Sequence, residues 1–215
     1  MIKHNFEHVR EWVFDLDNTL YPPAVRLFDQ IEEKMRAYMV RELNIDPAEA
    51  NRLRKHYWEL HGTTLAGLMI EHSIDPDPFL EDVHAISFEA LQPAPDLAQL
   101  IQNLPGRRIV YTNGTRPYAL EVLKARGLSH VFDAVYGIEH ADYQPKPRPE
   151  AFEMVFGKDG ITPQKAAMFE DEVRNLAVPF QMGLRTVHVA PEATNDDYVH
   201  FHTDDLTAFL RKISD

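Results

Sequence analysis

The sequence contains no cysteine, which excludes both a disulfide framework and a thiol nucleophile. It has no excess of positive charge either. The formal net charge is −12, which argues against a nucleic-acid polymer or an anionic membrane surface as the main partner. A small phosphate ester is compatible with that figure, because its binding depends on local charge. No apolar run approaches membrane-spanning length, and the opening residues Met1-Ile2-Lys3-His4-Asn5-Phe6-Glu7 hold no apolar signal core. The expectation is a soluble, cytoplasmic protein. Internal repeats and low-complexity tracts are missing too, and so is strand-like alternation between residues 24 and 92.

What is present is ample material for a packed interior, with 44% hydrophobic residues. Residues 11–15 read as a short buried strand. Over 24–43 the apolar positions Leu27, Phe28, Ile31, Met35, Tyr38 and Met39 recur at helical spacing. Asp46-Pro47-Ala48-Glu49 combines a capping acid, a proline at the first helical position and a glutamate three residues on. It predicts a second helix, ending near Gly62. Shorter helices are expected over 65–72 and 78–85.

After Pro93-Ala94-Pro95 strands and helices alternate. Strands are expected at 108–112, 131–136, 166–169, 185–189 and 199–201, and helices at 96–104, 115–126, 149–156, 173–182 and 204–213. Alternation of this kind indicates an α/β fold with a doubly wound parallel sheet. The expected division is a core of residues 1–19 and 93–215, with an inserted all-helical cap over 20–92. Prolines mark both crossings. Pro179 falls inside the expected 173–182 helix and is a misfit there.

Ligands of doubly wound sheets lie at the C-terminal ends of the strands. Those ends carry Asp15 and Asp17, Thr112-Asn113-Gly114, and Glu170-Asp171, with Lys146 in a proline-rich loop nearby. Crowded carboxylates need a cation or a shared proton. The donor set suits Mg²⁺, which takes a few oxygen ligands and keeps waters for substrate phosphate. Thr112 and the amides of Asn113 and Gly114 suit phosphate oxygens at a helix start, and Lys146 supplies a counter-charge. Gly62-Thr63-Thr64 reads equally as helix caps or as a substrate-facing loop. His4 with His8, and His200 with His202, have metal-compatible spacing without a third ligand nearby, so they read as solvent-facing.

Four segments in order, Asp15-Leu16-Asp17-Asn18-Thr19, Thr112-Asn113, Lys146 and Glu170-Asp171, resemble the motifs of the haloacid dehalogenase superfamily. The likeness is to its phosphatases with a helical cap after the first strand, and it covers nearly the whole chain. Phe14 to Tyr21 and His61 to Leu68 are further similar to pyrimidine 5′-nucleotidases. The resemblance implies an aspartyl-phosphate mechanism, with Asp15 as nucleophile and Asp17 as general acid and base. It implies Mg²⁺ held by the Asp15 and Asp171 carboxylates and the Asp17 carbonyl, with Glu170 acting through an intervening water. Thr112, Asn113 and Lys146 would bind the phosphoryl oxygens, and Asn175 would orient the loop or Lys146.

Two positions depart from the pattern: Glu172, where many relatives have serine, and Tyr118, where some nucleotidases have histidine. The expected function is hydrolysis of a pyrimidine nucleoside 5′-monophosphate. A phosphatase or phosphomutase for a small sugar phosphate or phosphoglycolate is the alternative. A phosphate-sensing scaffold is the non-enzyme reading, and dehalogenation is disfavoured because Asp17 has no leaving oxygen to protonate there. The oligomeric state is not legible.

Overall fold

A computed structural model describes residues 2–214. Strand β1 (Glu11–Phe14) is followed by a 3-10 turn at Pro23–Val25 and four helices, α1 (Leu27–Leu43), α2 (Pro47–His61), α3 (Thr64–His72) and α4 (Pro76–Val83). The chain then alternates through α5 (Pro95–Gln102), β2 (Arg107–Tyr111), α6 (Arg116–Ala125), β3 (Ala134–Tyr136), α7 (Pro149–Asp159) and β4 (Ala166–Glu170). A 3-10 turn at Val173–Leu176 leads into α8 (Ala177–Met182), β5 (Arg185–Val189), β6 (Phe201–Thr203) and α9 (Leu206–Ser214). The sheet is parallel throughout, in the order β3-β2-β1-β4-β5-β6.

The inserted helices start where side chains satisfy free amides. Asp46 accepts from the Ala48 and Glu49 amides, both at 2.9 Å, with Pro47 at the first helical position. The same device at Asp75-Pro76 starts α4 two residues before the expected 78. Helices α2 and α3 cross closely because Gly67 has no side chain; a Cβ there would lie 2.2 Å from the Tyr57 ring.

Three expectations needed correction. The 173–182 helix splits into a 3-10 turn and α8, which puts Pro179 third in α8. There its missing N–H would have had no intrahelical partner, so the misfit disappears. The strand expected from 131 starts at Ala134, because the Val131 amide turns back to the Leu128 carbonyl. The strand expected at 199–201 is Phe201–Thr203.

Residues 12–14 of β1 are buried, and the Phe14 and Phe169 rings stack at 4.7 Å with 6° between planes. Burying a phenylalanine contributes about 1.5–3 kcal/mol, so this pair helps fix the β1–β4 register. That register matters for the site. Phe14 pairs with Val110 on one side and Phe169 on the other, so the next residues, Asp15, Tyr111 and Glu170, emerge level with one another. The strand order reverses at β1, where doubly wound sheets open a crevice.

Candidate active site

Lys146 occupies the level that the register creates. Its ammonium is 1% exposed and lies 2.6 Å from Asp15 Oδ1, 2.6 Å from Glu170 Oε2 and 3.1 Å from the Tyr111 carbonyl oxygen. All three ammonium protons are therefore donated within the protein. Burial alone would favour the neutral amine, but the Asp15 and Glu170 carboxylates outweigh it and raise the Lys146 pKa.

The Lys146 loop is held by Asn113, whose Oδ1 accepts from the Lys146 amide at 2.8 Å. The Asn113 Nδ2 donates to the Lys146 carbonyl at 3.1 Å. The Asn113 side chain thus clamps this loop, and the Gly114 amide donates to Thr112 Oγ1 at 2.9 Å. Of the two turn amides, the one at Asn113 is the donor still available to a ligand.

Asp15, Glu170 and Asp171 each present an oxygen within 4.8 Å of the others. Asn18 Nδ2 donates to Asp171 Oδ2 at 3.2 Å, and His188 Nε2 lies 2.9 Å from the Asp171 carbonyl. Burial, then the Asp15 charge, pushes Glu170 up to about 7, against the pull of Lys146 and of a hydrogen bond from Asn175. Burial, then the charges of Asp15 and Glu170, holds Asp171 well above the usual carboxylate range. Burial is the larger cause of both shifts, and the crowding of carboxylates around one ammonium adds to it. The donors are hard oxygens, so the cluster fits Mg²⁺.

Asp17 stands apart from that cluster. Tyr21 Oη and Tyr118 Oη both donate to Asp17 Oδ1, each at 2.6 Å. Burial, then the Asp15 charge, raises the Asp17 carboxyl to about 6, while the two tyrosines and Lys146 oppose the rise. Thr19, two residues on, makes no such bond: its Oγ1 is buried without a hydrogen-bond partner among the described residues.

Asp15, Asp17, Asn18, Thr112, Asn113, Lys146, Glu170 and Asp171 line one cavity of about 600 Å³ between the sheet and the inserted helices. Its other wall includes Phe28, Ile31, Met35, Phe79 and Leu80, with an Arg54–Glu32 ion pair at 2.7 Å. Gly62, Thr63 and Thr64 line it too. Gly62 closes α2 at φ 91°, and Thr63 caps α3 by accepting the Ala66 amide at 3.1 Å. The capping and the cavity-facing readings of this stretch therefore both describe it. Across the cavity mouth the Arg174 guanidinium covers the Trp58 ring at 3.7 Å.

The sequence reading places Tyr21 and Asn18 in the motifs but assigns them no role, and it notes Tyr118 without one. Tyr21 and Asn18 lie within or beside the Asp15–Thr19 stretch, so a search for donors around Asp17 could have flagged them. Tyr118 lies 101 residues from Asp17 in the chain, and nothing local in the sequence marks it.

The surroundings of Asp17 and of the Asp15 cluster can be set beside known proteins. Residues 12–183 match the family described as haloacid dehalogenase-like hydrolase. "Phosphate metabolism protein 8" of Saccharomyces cerevisiae is 26% identical over 191 residues, which are 80% of this chain and 58% of that protein. "Glyceraldehyde 3-phosphate phosphatase" of Methanopyrus kandleri is 26% identical over 212 residues, 89% of this chain and 91% of the relative. Among solved structures, a HAD phosphatase from Thermococcus onnurineus superposes with a TM-score of 0.65 at 19% identity, covering 95% of this chain and 97% of that one. A Xanthobacter autotrophicus L-2-haloacid dehalogenase with chloropropionic acid covalently bound gives 0.62, also at 19%, covering 95% and 98%. With its parallel sheet, inserted helices and acidic cluster at the reversal of strand order, the chain belongs to the haloacid dehalogenase-like hydrolase family.

Proposed function

We propose that this hydrolase is a Mg²⁺-dependent phosphomonoester phosphatase that works through an aspartyl-phosphate. The observation that carries this is the contrast between two carboxylates two residues apart. Asp15 is tied to an ammonium, whereas Asp17 is held by two phenolic hydroxyls beside the same cavity. A carboxylate paired with an ammonium suits the nucleophile, and one that burial raises to about 6 suits proton transfer. A haloacid has no leaving oxygen for Asp17 to protonate, and a phosphate ester has one.

In this reading Asp15 attacks phosphorus in line as the bond to the leaving oxygen breaks. Asp17 gives its proton to that oxygen, then takes one from the water that hydrolyses the acyl-phosphate. The Asn113 amide donates to the phosphoryl oxygens, and the Lys146 ammonium adds positive charge beside Asp15. The Asp15 and Asp171 carboxylates and the Asp17 carbonyl would hold Mg²⁺, with Glu170 at one remove. The ion would supply positive charge to the transferring phosphoryl group. The inserted helices exclude bulk water, with Arg174 on Trp58 bridging the two sides.

For the substrate we favour a pyrimidine nucleoside 5′-monophosphate. The support is the similarity of Phe14–Tyr21 and His61–Leu68 to pyrimidine 5′-nucleotidases. A cavity of about 600 Å³ with aromatic and aliphatic walls is also of a size for a base and ribose. A second reading, a triose or other small sugar phosphate, is favoured by the Methanopyrus relative named as a glyceraldehyde 3-phosphate phosphatase. A phosphate-release screen over nucleotides and sugar phosphates, with Mg²⁺ and with EDTA, decides between them. Strong preference for uridine and cytidine monophosphates supports the first reading. Activity confined to sugar phosphates replaces it with the second, and no release from any ester overturns the phosphatase assignment.

A further inference from the structure

We propose that Tyr21 and Tyr118 are positioning residues that decide which oxygen of Asp17 carries the catalytic proton, and that His84 on the inserted helices holds Tyr118 in place for this. The inference rests on the phosphatase reading above and adds to it.

A carboxylate oxygen has two lone pairs in the carboxyl plane. Asp17 Oδ1 accepts two hydrogen bonds of 2.6 Å, from Tyr21 Oη and Tyr118 Oη, so both lone pairs are taken. Among the described residues no hydrogen bond reaches Oδ2. When Asp17 is protonated, the proton therefore sits on Oδ2. Protonating Oδ1 would break one of two short bonds to a buried oxygen, at a cost of about 1–3 kcal/mol. The tyrosines thus fix both the rotamer of the acid and the identity of its acidic oxygen.

The two tyrosines come from different parts of the chain. Tyr21 lies at the first crossing into the inserted helices, just before Pro22-Pro23, whereas Tyr118 lies in α6 of the core. The ring of His84, the residue that ends α4, stacks on Tyr118 at 4.3 Å with 9° between planes. His84 Nδ1 is also 3.2 Å from Thr115 Oγ1, whose side chain caps α6 by accepting the Tyr118 amide at 3.3 Å. Phe88 approaches the same ring at 6.1 Å. On the core side, a Cβ on Gly114 would lie 2.8 Å from the Tyr118 ring, so only glycine leaves that space. Tyr118 is therefore packed by the core through Gly114 and by the inserted segment through His84 and Phe88. A movement of the inserted helices away from the sheet removes the His84 stack and loosens one of the two donors on Oδ1.

The step this governs is the first phosphoryl transfer. As Asp15 forms its bond to phosphorus, the phosphorus–oxygen bond to the leaving group breaks with its electron pair on oxygen. The Oδ2 proton moves to that oxygen, giving a neutral alcohol and leaving Asp17 as a carboxylate. Loss of a tyrosine donor lets Oδ1 compete for the proton and frees the rotamer, so proton delivery suffers most where the leaving oxygen needs it most.

The test is the dependence of kcat/KM on leaving-group basicity, measured from 4-nitrophenyl phosphate to an alkyl phosphate. It is run for the wild-type chain, Tyr118→Phe, Tyr21→Phe, His84→Ala and His84→Phe. Both Tyr→Phe variants are expected to lose about tenfold or more on the alkyl ester and distinctly less on the nitrophenyl ester. His84→Ala should shift in the same direction, and His84→Phe, which keeps a flat ring on Tyr118, should restore the wild-type slope. Variants that lose activity equally on all esters, or lose none, overturn the inference while wild-type turnover leaves the phosphatase reading standing. A wild-type chain that hydrolyses no phosphate ester overturns both.

Discussion

The Lys146 ammonium bridges Asp15 and Glu170, 2.6 Å from a carboxylate oxygen of each, on the level of the last residues of β2 and β4 and the first residue past β1. Removing one partner of a buried ion pair leaves an uncompensated charge and costs about 3–5 kcal/mol. Lys146→Met leaves two such carboxylates facing each other. It should lower the unfolding free energy from denaturant titration by an amount of that order and abolish turnover. Restoration of part of the stability by Mg²⁺ is expected, because the ion replaces the missing positive charge.

A cation that binds the folded chain alone stabilises it by mass action, about 2.7 kcal/mol at a hundredfold excess over Kd. Added Mg²⁺ should therefore raise the Tm of the wild-type chain, and EDTA should reverse the rise. In Asp171→Asn the Mg²⁺-dependent rise should largely vanish. The metal-free Tm of that variant should lie above the wild-type value, since burial, and then the charges of Asp15 and Glu170, disfavour a charged Asp171. A metal-free Tm below wild type would show that Asp171 is a net stabilising anion without Mg²⁺.

The residues of this acidic cluster were legible because the strand ends announce themselves: an apolar run stops at an acid in Phe14-Asp15 and in Phe169-Glu170. The inserted helices were legible from spacing and from the Asp46-Pro47 cap. Short or broken elements were less so. β3 has three residues paired on one side only, and the Val131 turn that precedes it has the same apolar texture as a strand. The more distant partner of Asp17, Tyr118, was hidden for a different reason. A phenol 101 residues away enters the site only through the packing of α6 against the sheet, and local sequence carries no trace of that contact.

His84 offers a pH test. Burial lowers its pKa from 6.5 to about 4, so between these values the unfolded chain binds more protons than the folded one. Stability falls as pH drops through that window, by on the order of 2–3 kcal/mol at its lower end. His84→Phe has no such proton to take up. Urea midpoints at about pH 7 and pH 5 should therefore converge more in the variant than in the wild-type chain; identical pH dependence in both would contradict the shift.

Gly62 closes α2 at φ 91°, and a Cβ there would meet the Lys146 carbonyl oxygen at 3.4 Å. Gly62→Ala combines left-handed backbone strain with contact against the Lys146 loop. A loss of about 1–2 kcal/mol is expected, together with a raised KM, because the residue packs on the loop that carries Lys146. Thermal melts and kinetics on one phosphate ester measure the two effects separately.

The central claim is that Asp15 carries a phosphoryl group. Phosphate release from 4-nitrophenyl phosphate, measured side by side for the wild-type chain and Asp15→Asn with Mg²⁺ and with EDTA, tests it most directly. The prediction is release by the wild-type chain with Mg²⁺, none with EDTA, and none from a folded Asp15→Asn under either condition. Undiminished release by Asp15→Asn would contradict the claim.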